Sequence, residues 1–96
     1  MLEIRETPAY AAWFSGLRDR AAKARIDIGI RRLSLGNPGD LRPAGEGISE
    51  LRIRYGPGYR IYFKSQVNTL IVLLVGGDKG SQAKDIQYAK DLARNL

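Results

Sequence analysis

The strongest constraint on the fold is a Gly-Pro-Gly turn between two alternating segments. Residues 50–55 and 59–64 each alternate apolar and polar side chains, which is typical of half-buried β-strands. The intervening sequence, residues 56–58, predicts a tight turn. Both strands must place their apolar side chains on the same face of a sheet. We therefore predict a hairpin with a three-residue loop and Tyr55 opposite Tyr59.

The segment before this hairpin contains the signals of one short strand and two helices. Residues 2–5 alternate like a strand. Thr7-Pro8 is typical of a helix start, because Thr caps a helix and Pro is tolerated in its first turn. A second helix is predicted from near Asp19 to Gly36. We expect a loop from there to Gly47.

The segment after the hairpin completes the domain. Residues 70–75 are a continuous apolar run, which indicates a strand covered on both faces. A glycine-rich turn at 76–80 then leads into a last helix. The order βααβββα predicts an α+β fold in which an antiparallel-rich sheet packs on helices. Residues 1–96 are expected to form a single small domain.

Charge and missing residue types restrict the chemistry. The chain has 16 Lys and Arg against 10 Asp and Glu, and its net charge of +6 favours a polyanionic partner. The absence of Cys and His excludes disulfides, thiolate metal sites and the commonest general base. We expect no metal and no other cofactor. Neither a signal peptide nor a membrane-length apolar run is present, which favours a cytoplasmic protein without a membrane partner.

The predicted hairpin gathers basic side chains on its polar face. The three-residue loop places Arg54 opposite Arg60. Two facing arginines destabilise a sheet by a few tenths to about 1 kcal/mol, and a bound phosphate would relieve their repulsion. On this interpretation, replacing Arg60 by Leu or Gln leaves the melting temperature unchanged or raises it; the alternative is a merely solvated basic face. The other polar positions of the face are Glu50, Arg52, Tyr62 and Lys64.

Two further segments permit both a functional and a structural interpretation. The turn at 76–81 enters a helix N-terminus, where free N–H groups and Lys79 could hold an anion. The spacing favours the alternative, a glycine-rich turn with Ser81 as the N-cap. The second helix carries many cations, which are typical of a solvated face but could also receive an acidic partner segment. These cations are Arg18, Arg20, Lys23, Arg25, Arg31 and Arg32.

The hairpin at 50–63 resembles the RelE/ParE toxin superfamily. The later segment 74–79, together with Gln82, Asp85 and Ile86, is similar to the HigB-like "addiction module killer protein" branch. The resemblance covers essentially the whole chain. It implies the toxin of a type II toxin–antitoxin system. The expected partners are a cognate antitoxin, a helix-turn-helix protein of the HigA type, and the ribosome with its mRNA.

The resemblance also implies an activity and a set of residues. RelE-like members cleave mRNA on the ribosome, so it implies a metal-independent endoribonuclease that inhibits translation and uses the RNA 2′-OH as nucleophile. It places the catalytic groups at Arg54, Arg60 and Lys79. The family's tyrosine on the last helix does not transfer, because Ile86 stands at its position, and a HigB active-site histidine has no counterpart. Substrate contacts are expected from Arg52, Tyr62, Lys64, Lys84 and Tyr88, and Lys79, Lys84, Tyr62 or Tyr88 could transfer protons.

Two alternative functions fit the same sequence. The first is a ParE-like toxin that inhibits DNA gyrase by binding, without nuclease activity. The second is a decayed toxin that acts only as an antitoxin-binding module. Fold and charge suit all of these functions, because a fold does not fix a function.

Overall fold

The computed structural model describes residues 1–67 and 69–96, which form a five-stranded sheet with helices on both faces. The strand order is β1-β5-β4-β3-β2, in which β1 and β5 are parallel and the other neighbours antiparallel. The predicted α+β class and antiparallel-rich sheet are confirmed. The elements are β1 (Glu3–Glu6), α1 (Pro8–Gly16), α2 (Arg20–Ser34), β2 (Asp40–Gly45), β3 (Ile48–Ile53), β4 (Tyr59–Val67), β5 (Leu70–Asp78), a 3₁₀ turn (Lys79–Ser81) and α3 (Gln82–Ala93).

The segment expected to be a loop before Gly47 contains an edge strand, β2. It pairs antiparallel with β3, and Leu41 lies opposite Leu51. Leu41 packs against the core, which gives this strand an apolar anchor. The sequence signal is hidden by Pro43 and Gly45, residues that weaken interior strands but are tolerated at a sheet edge or a bulge. The observed element order is therefore βααββββα.

One face of the sheet packs against α1 and α2. Both helices begin where predicted, α1 at its predicted cap Thr7 and α2 after Asp19. The Thr7 hydroxyl accepts from the backbone N–H of Tyr10, and the Asp19 carboxylate caps α2 by accepting from those of Ala21 and Ala22. Large side chains from both helices and from the strands fill this layer. Its buried members are Tyr10, Ile26, Leu33, Leu51, Ile61, Phe63, Ile71 and Leu73.

The other face is covered by α3. This helix presents small side chains, Ala89 and Ala93, which are buried against the sheet. Their size lets the helix lie close to the strands. On the strand side the contact is made by Ile48, Tyr62, Val72, Leu74 and Val75. Among the helices of residues 1–67 and 69–96, none is long and apolar enough to cross a membrane.

Two adjacent glycines of β5 allow helices to approach from both faces. A Cβ added to Gly76 would overlap the indole ring of Trp13 in α1. A Cβ added to Gly77 would overlap the carboxylate of Asp85 in α3. The strand continues through both glycines to Asp78, so the prediction that it ends before a turn at 76 is wrong. These glycines serve close helix packing.

Candidate functional site

The hairpin pairs in a different register from the predicted one. Arg52, and not Arg54, lies opposite Arg60, and Ile53 lies opposite Tyr59. The connection spans residues 54–58, since Gly56 and Gly58 both adopt positive φ and the backbone N–H of Gly58 donates to the carbonyl of Tyr55 at 3.1 Å. The predicted three-residue loop is therefore wrong. The same side chains still share a face, because the displacement of the register keeps its parity.

A buried carboxylate lies between the two facing arginines. Glu50 is only 2% exposed, and its Oε1 accepts a hydrogen bond from Arg60 Nη1 at 2.8 Å. Its Oε2 accepts from Arg52 Nε at 3.4 Å. The side-chain amide of Gln82, the first residue of α3, also donates to Oε1, at 2.8 Å. The repulsion between the arginines is thus offset within the protein itself.

This arrangement reverses the expected effect of replacing Arg60. Arg60 is 8% exposed, and its Nε has no hydrogen-bond partner in the described residues. Removing the guanidinium would leave Glu50 buried without its shortest ion pair, which costs roughly 3–5 kcal/mol in comparable cases. The premise that Arg60 carries uncompensated repulsion is therefore wrong. We expect its loss to lower stability.

Arg54 belongs to a second, exposed cluster around Asp40. The Asp40 carboxylate accepts from Arg42 Nε and from Arg54 Nη2, both at 3.1 Å. These hydrogen bonds from Arg42 and Arg54 lower the pKa of the Asp40 carboxyl below its ordinary value. The Arg54 side chain is 81% exposed, so most of its donors remain open to a ligand.

The two clusters border a single cleft of about 170 Å³, which we call the arginine cleft. Three predicted site residues, Arg52, Arg54 and Arg60, share it. Arg42, Arg52, Arg54 and Arg60 surround the carboxylates of Asp40 and Glu50, so four positive and two negative charges leave a formal charge of +2. A concave, net positive site of this kind suits an anion such as a phosphate. The lining residues are Asp40, Arg52, Ile53, Arg54, Gly58, Tyr59 and Arg60.

The other predicted site residues lie at different distances from this cleft. Lys79 is exposed, and its Cβ lies 3.6 Å from the position that a Cβ on Gly58 would take, so it stands beside the Gly58 wall. Lys64 is four residues beyond Arg60 on β4, or about 13 Å along the strand. Lys84 and Tyr88 are exposed on α3 and do not line the cleft.

Tyr62 lies on the predicted face of the hairpin but is not exposed there. α3 covers it completely, and its hydroxyl has no hydrogen-bond partner in the described part of the chain. Burial, with a smaller contribution from the nearby Glu50 carboxylate, raises the pKa of the Tyr62 phenol. The group is therefore neutral and out of contact with solvent.

The second predicted anion site, at residues 76–81, is filled by the chain itself. The Asp85 carboxylate lies against Gly77 and accepts a hydrogen bond from the Ser81 hydroxyl. Ser81 occupies the N-cap position of α3 but makes no capping hydrogen bond with its side chain. A carboxylate in the first turn already complements the positive end of the helix. Within residues 1–67 and 69–96, no group of three or more His, Cys, Asp or Glu side chains could hold a metal ion.

The residues that organise the cleft include three that the sequence analysis did not assign. Glu50 has a sequence signal: it precedes Arg52 by two residues on the same strand face, so a carboxylate beside an arginine could have been foreseen. Asp40 has none, because its strand was not predicted. Gln82 is part of the family resemblance, but no local pattern predicts its contact with Glu50, which joins residues 32 positions apart.

Comparison with solved structures identifies the class of fold. The crystal structure of a copper-bound mutant toxin from Helicobacter pylori aligns with a TM-score of 0.61, covering 84% of this chain and 98% of that toxin at 16% sequence identity. The chain therefore shares the fold of that Helicobacter protein. It is also 47% identical over 95 residues to an uncharacterized protein of Haemophilus influenzae, covering 99% of this chain and 96% of that protein. The chain belongs to the same family as this Haemophilus protein. No family model matches the sequence.

Proposed function

We propose that this protein is the toxin of a type II toxin–antitoxin system and cleaves mRNA on the ribosome. The observation that carries the proposal is the arginine cleft on a toxin-like fold, where Arg52, Arg54 and Arg60 share one net positive site. The resemblance to the RelE/ParE superfamily and its HigB-like branch supports RNA as the target. The proposed partner is a cognate antitoxin of the HigA type, and the proposed location is the cytoplasm.

The proposed reaction needs no metal and uses the RNA itself as nucleophile. The 2′-oxygen attacks the adjacent phosphorus, and a P–O2′ bond forms while the P–O5′ bond breaks. The 2′-hydroxyl loses its proton to water, and the departing 5′-oxygen takes one from Lys79, the exposed lysine beside the cleft. Arg54 contacts the phosphate, because its guanidinium is the most exposed in the cleft. Pre-organised donors of this kind stabilise the charge that grows on the phosphate.

The remaining residues hold this site in place. Arg60 is tied to Glu50, so its charge sets the potential of the cleft more than it contacts the RNA. Gln82 fixes Glu50 from α3 and thereby links the cleft to that helix. Lys64, Lys84 and Tyr88 lie outside the cleft, and we propose them as contacts to the more distant RNA or ribosome surface.

One observation favours a second candidate function. Two groups expected to take part in cleavage, Arg60 and Tyr62, are buried, and Arg60 is already paired with Glu50. A toxin that acts by binding alone, such as a ParE-like inhibitor of DNA gyrase, does not need these groups in contact with a substrate. In this case the exposed Arg54 and Arg42 contribute to a binding surface.

The deciding experiment offers the purified protein three targets: programmed ribosomes, naked mRNA and DNA gyrase. We expect mapped mRNA breaks on ribosomes, little cleavage of naked RNA and unchanged supercoiling. Gyrase-dependent DNA breaks with intact mRNA would support the second candidate. Inactivity on all three, with antitoxin binding retained, would indicate an antitoxin-binding module.

Arg54 and Arg42 provide a matched pair of variants for this assay. Both donate to Asp40, but only Arg54 lines the arginine cleft. Arg54→Gln should reduce ribosome-dependent cleavage by about tenfold or more, because it removes one charged phosphate contact. Arg42→Gln should leave cleavage within about twofold. Equal losses in the two variants would mean that the whole basic surface acts, and that the cleft has no special role.

A further inference from the structure

A larger groove, of about 260 Å³, lies between α2 and β3, on the sheet face opposite α3. The α2 side is formed by residues spaced i, i+3, i+4 and i+7, which form one stripe about 10 Å long on a helix. The lining residues are Arg25, Ile28, Gly29, Arg32, Gly39, Leu51, Arg52, Ile53 and Arg54. This groove is separate from the arginine cleft, although Arg52, Ile53 and Arg54 border both.

The floor of the groove is apolar and depends on a glycine. Gly29 faces β3, and a Cβ there would lie 2.7 Å from Ile53 Cδ1, so only glycine lets α2 lie this close without displacing Ile53. Beside it Ile28 is 50% exposed, so about half of this apolar side chain is open at the groove. Ile28 and the half-buried Ile53 therefore offer apolar surface to a ligand, above the buried Leu51.

The walls of the groove are basic and partly fixed. Among the described residues, its lining contains four arginines and no acidic side chain. The Arg25 guanidinium lies 4.7 Å from the centre of the Tyr55 ring, and the Tyr55 hydroxyl donates to Asp19 at 3.1 Å. This contact holds one wall against the hairpin connection. Arg32, at the other end of the stripe, has no carboxylate within 4.0 Å among the described residues.

We propose that this groove docks an acidic amphipathic segment of the antitoxin, an inference that rests on the proposed toxin function. Apolar side chains of the segment bury against Ile28 and Ile53, while its carboxylates pair with the arginine walls. The apolar floor favours a peptide over RNA, because Ile28 and Ile53 are aliphatic and RNA bases prefer to stack on aromatic side chains. A bound segment also contacts Arg54, which lines both cavities, and thereby occupies a guanidinium of the arginine cleft.

Two neighbouring arginines allow a controlled test. Arg31 and Arg32 are both exposed and both lie in the last turn of α2, so each reversal to Glu has a similar effect on the helix dipole. Only Arg32 lines the groove. The probe is a labelled synthetic helical peptide with one leucine stripe flanked by glutamates, titrated against the full chain.

Arg32→Glu should weaken binding of this peptide by about tenfold or more, and Arg31→Glu by less than about threefold. Ile28→Ser should weaken binding by a similar factor to Arg32→Glu. Replacing the leucines of the peptide by serines should have an effect of the same size. The proposal would be overturned if both arginine variants lost the same affinity, or if replacing the leucines did not change the affinity. Either result would mean that the peptide binds by general charge attraction.

Growth arrest by the same variants separates this inference from the proposed function. Arg32→Glu should still arrest growth, since Arg32 lies outside the arginine cleft. The groove would instead be an RNA site if Arg32→Glu no longer arrested growth and an RNA oligonucleotide displaced the peptide from the wild-type chain. That result would overturn the proposal. Sedimentation that shows wild-type dimers broken by Ile28→Ser would assign the groove to a second copy instead, with the same consequence. If the wild-type chain does not arrest growth, the proposed toxin function is wrong. The peptide titration still shows whether the groove binds an acidic amphipathic segment.

Discussion

The two faces of the sheet bury their side chains by different means. The face toward α1 and α2 is filled by large apolar and aromatic groups such as Tyr10, Ile61 and Phe63. The face toward α3 combines small alanines with a buried ion pair, Glu50–Arg60. Apolar packing stabilises without needing a partner of opposite charge, whereas a buried charge is tolerated only while its partner stays in place. The stability of the α3 face therefore depends on a complete polar network.

The largest expected effect comes from breaking that network on one side only. Arg60→Leu should lower the free energy of unfolding by roughly 3–5 kcal/mol, because it leaves Glu50 buried without its main partner. The double variant Arg60→Leu/Glu50→Leu should recover most of this loss, since apolar side chains replace a buried pair without a stranded charge. Urea denaturation measures both. A single variant as stable as the wild type would show that Glu50 does not need Arg60.

A smaller effect is expected from enlarging the alanine contact of α3. Ala89→Leu should lower the free energy of unfolding by about 1–3 kcal/mol, because the extra side chain has no space between the helix and the sheet. Hydrogen exchange should accelerate in α3 while α1 and α2 keep their protection. Ala83→Leu, at an exposed position of the same helix, is the control and should change neither quantity. Uniform acceleration over the whole chain would contradict an independent role for this face.

A smaller effect is expected when acid weakens the exposed ion pairs of Asp40 with Arg42 and Arg54. The folded pKa of Asp40 lies below its ordinary value of 3.8, so its contribution is present above that pH and is lost as the pH falls through the folded value. Asp40→Asn should therefore flatten the decline of the melting temperature below about pH 4. Melting curves of both proteins across that range provide the measurement. Parallel declines would mean that Asp40 contributes nothing through its pairs with Arg42 and Arg54.

The smallest effect is expected at Tyr62. Its buried hydroxyl has no partner among residues 1–67 and 69–96, so Tyr62→Phe should leave stability at neutral pH unchanged or raise it by less than about 1 kcal/mol. Burial raises the folded pKa above the ordinary 10.0, so stability that is present below pH 10 is lost as the pH rises through the folded value. The variant should therefore resist alkaline unfolding better. Cleavage should persist, and its loss would show that the hydroxyl reaches the substrate.

The features predicted correctly from the sequence are those determined within a few residues. The caps Thr7 and Asp19 act on the turn that follows them, and the alternating segments of the hairpin show which side chains share a face. The register could not be predicted in this way, because it follows from the positive φ of Gly56 and Gly58 in the connection. With this connection, Arg60 lies opposite Arg52 and not opposite Arg54 as predicted.

The rest of the site depends on contacts between distant segments. Glu50 is buried because α3 covers it, and Gln82 completes its hydrogen bonds from 32 residues away. Asp40 joins the cleft only because β2 pairs with β3, a pairing concealed by Pro43. A pattern along the chain shows the composition of a face but not what packs on it, which is why the predicted basic surface proved to be partly buried.

The parallel pairing of β1 with β5 has a consequence for the timing of synthesis. The Thr7 hydroxyl after β1 donates to the carbonyl of Leu74, 67 residues later. At about 5–20 residues per second, a ribosome takes roughly 3–13 s to make the chain between them. The first strand therefore emerges without its neighbour, and the helix that supplies Gln82 to Glu50 comes later still. A nascent chain therefore cannot complete the hydrogen bonds of Glu50, which holds Arg52 and Arg60 beside the arginine cleft, until Gln82 has been translated.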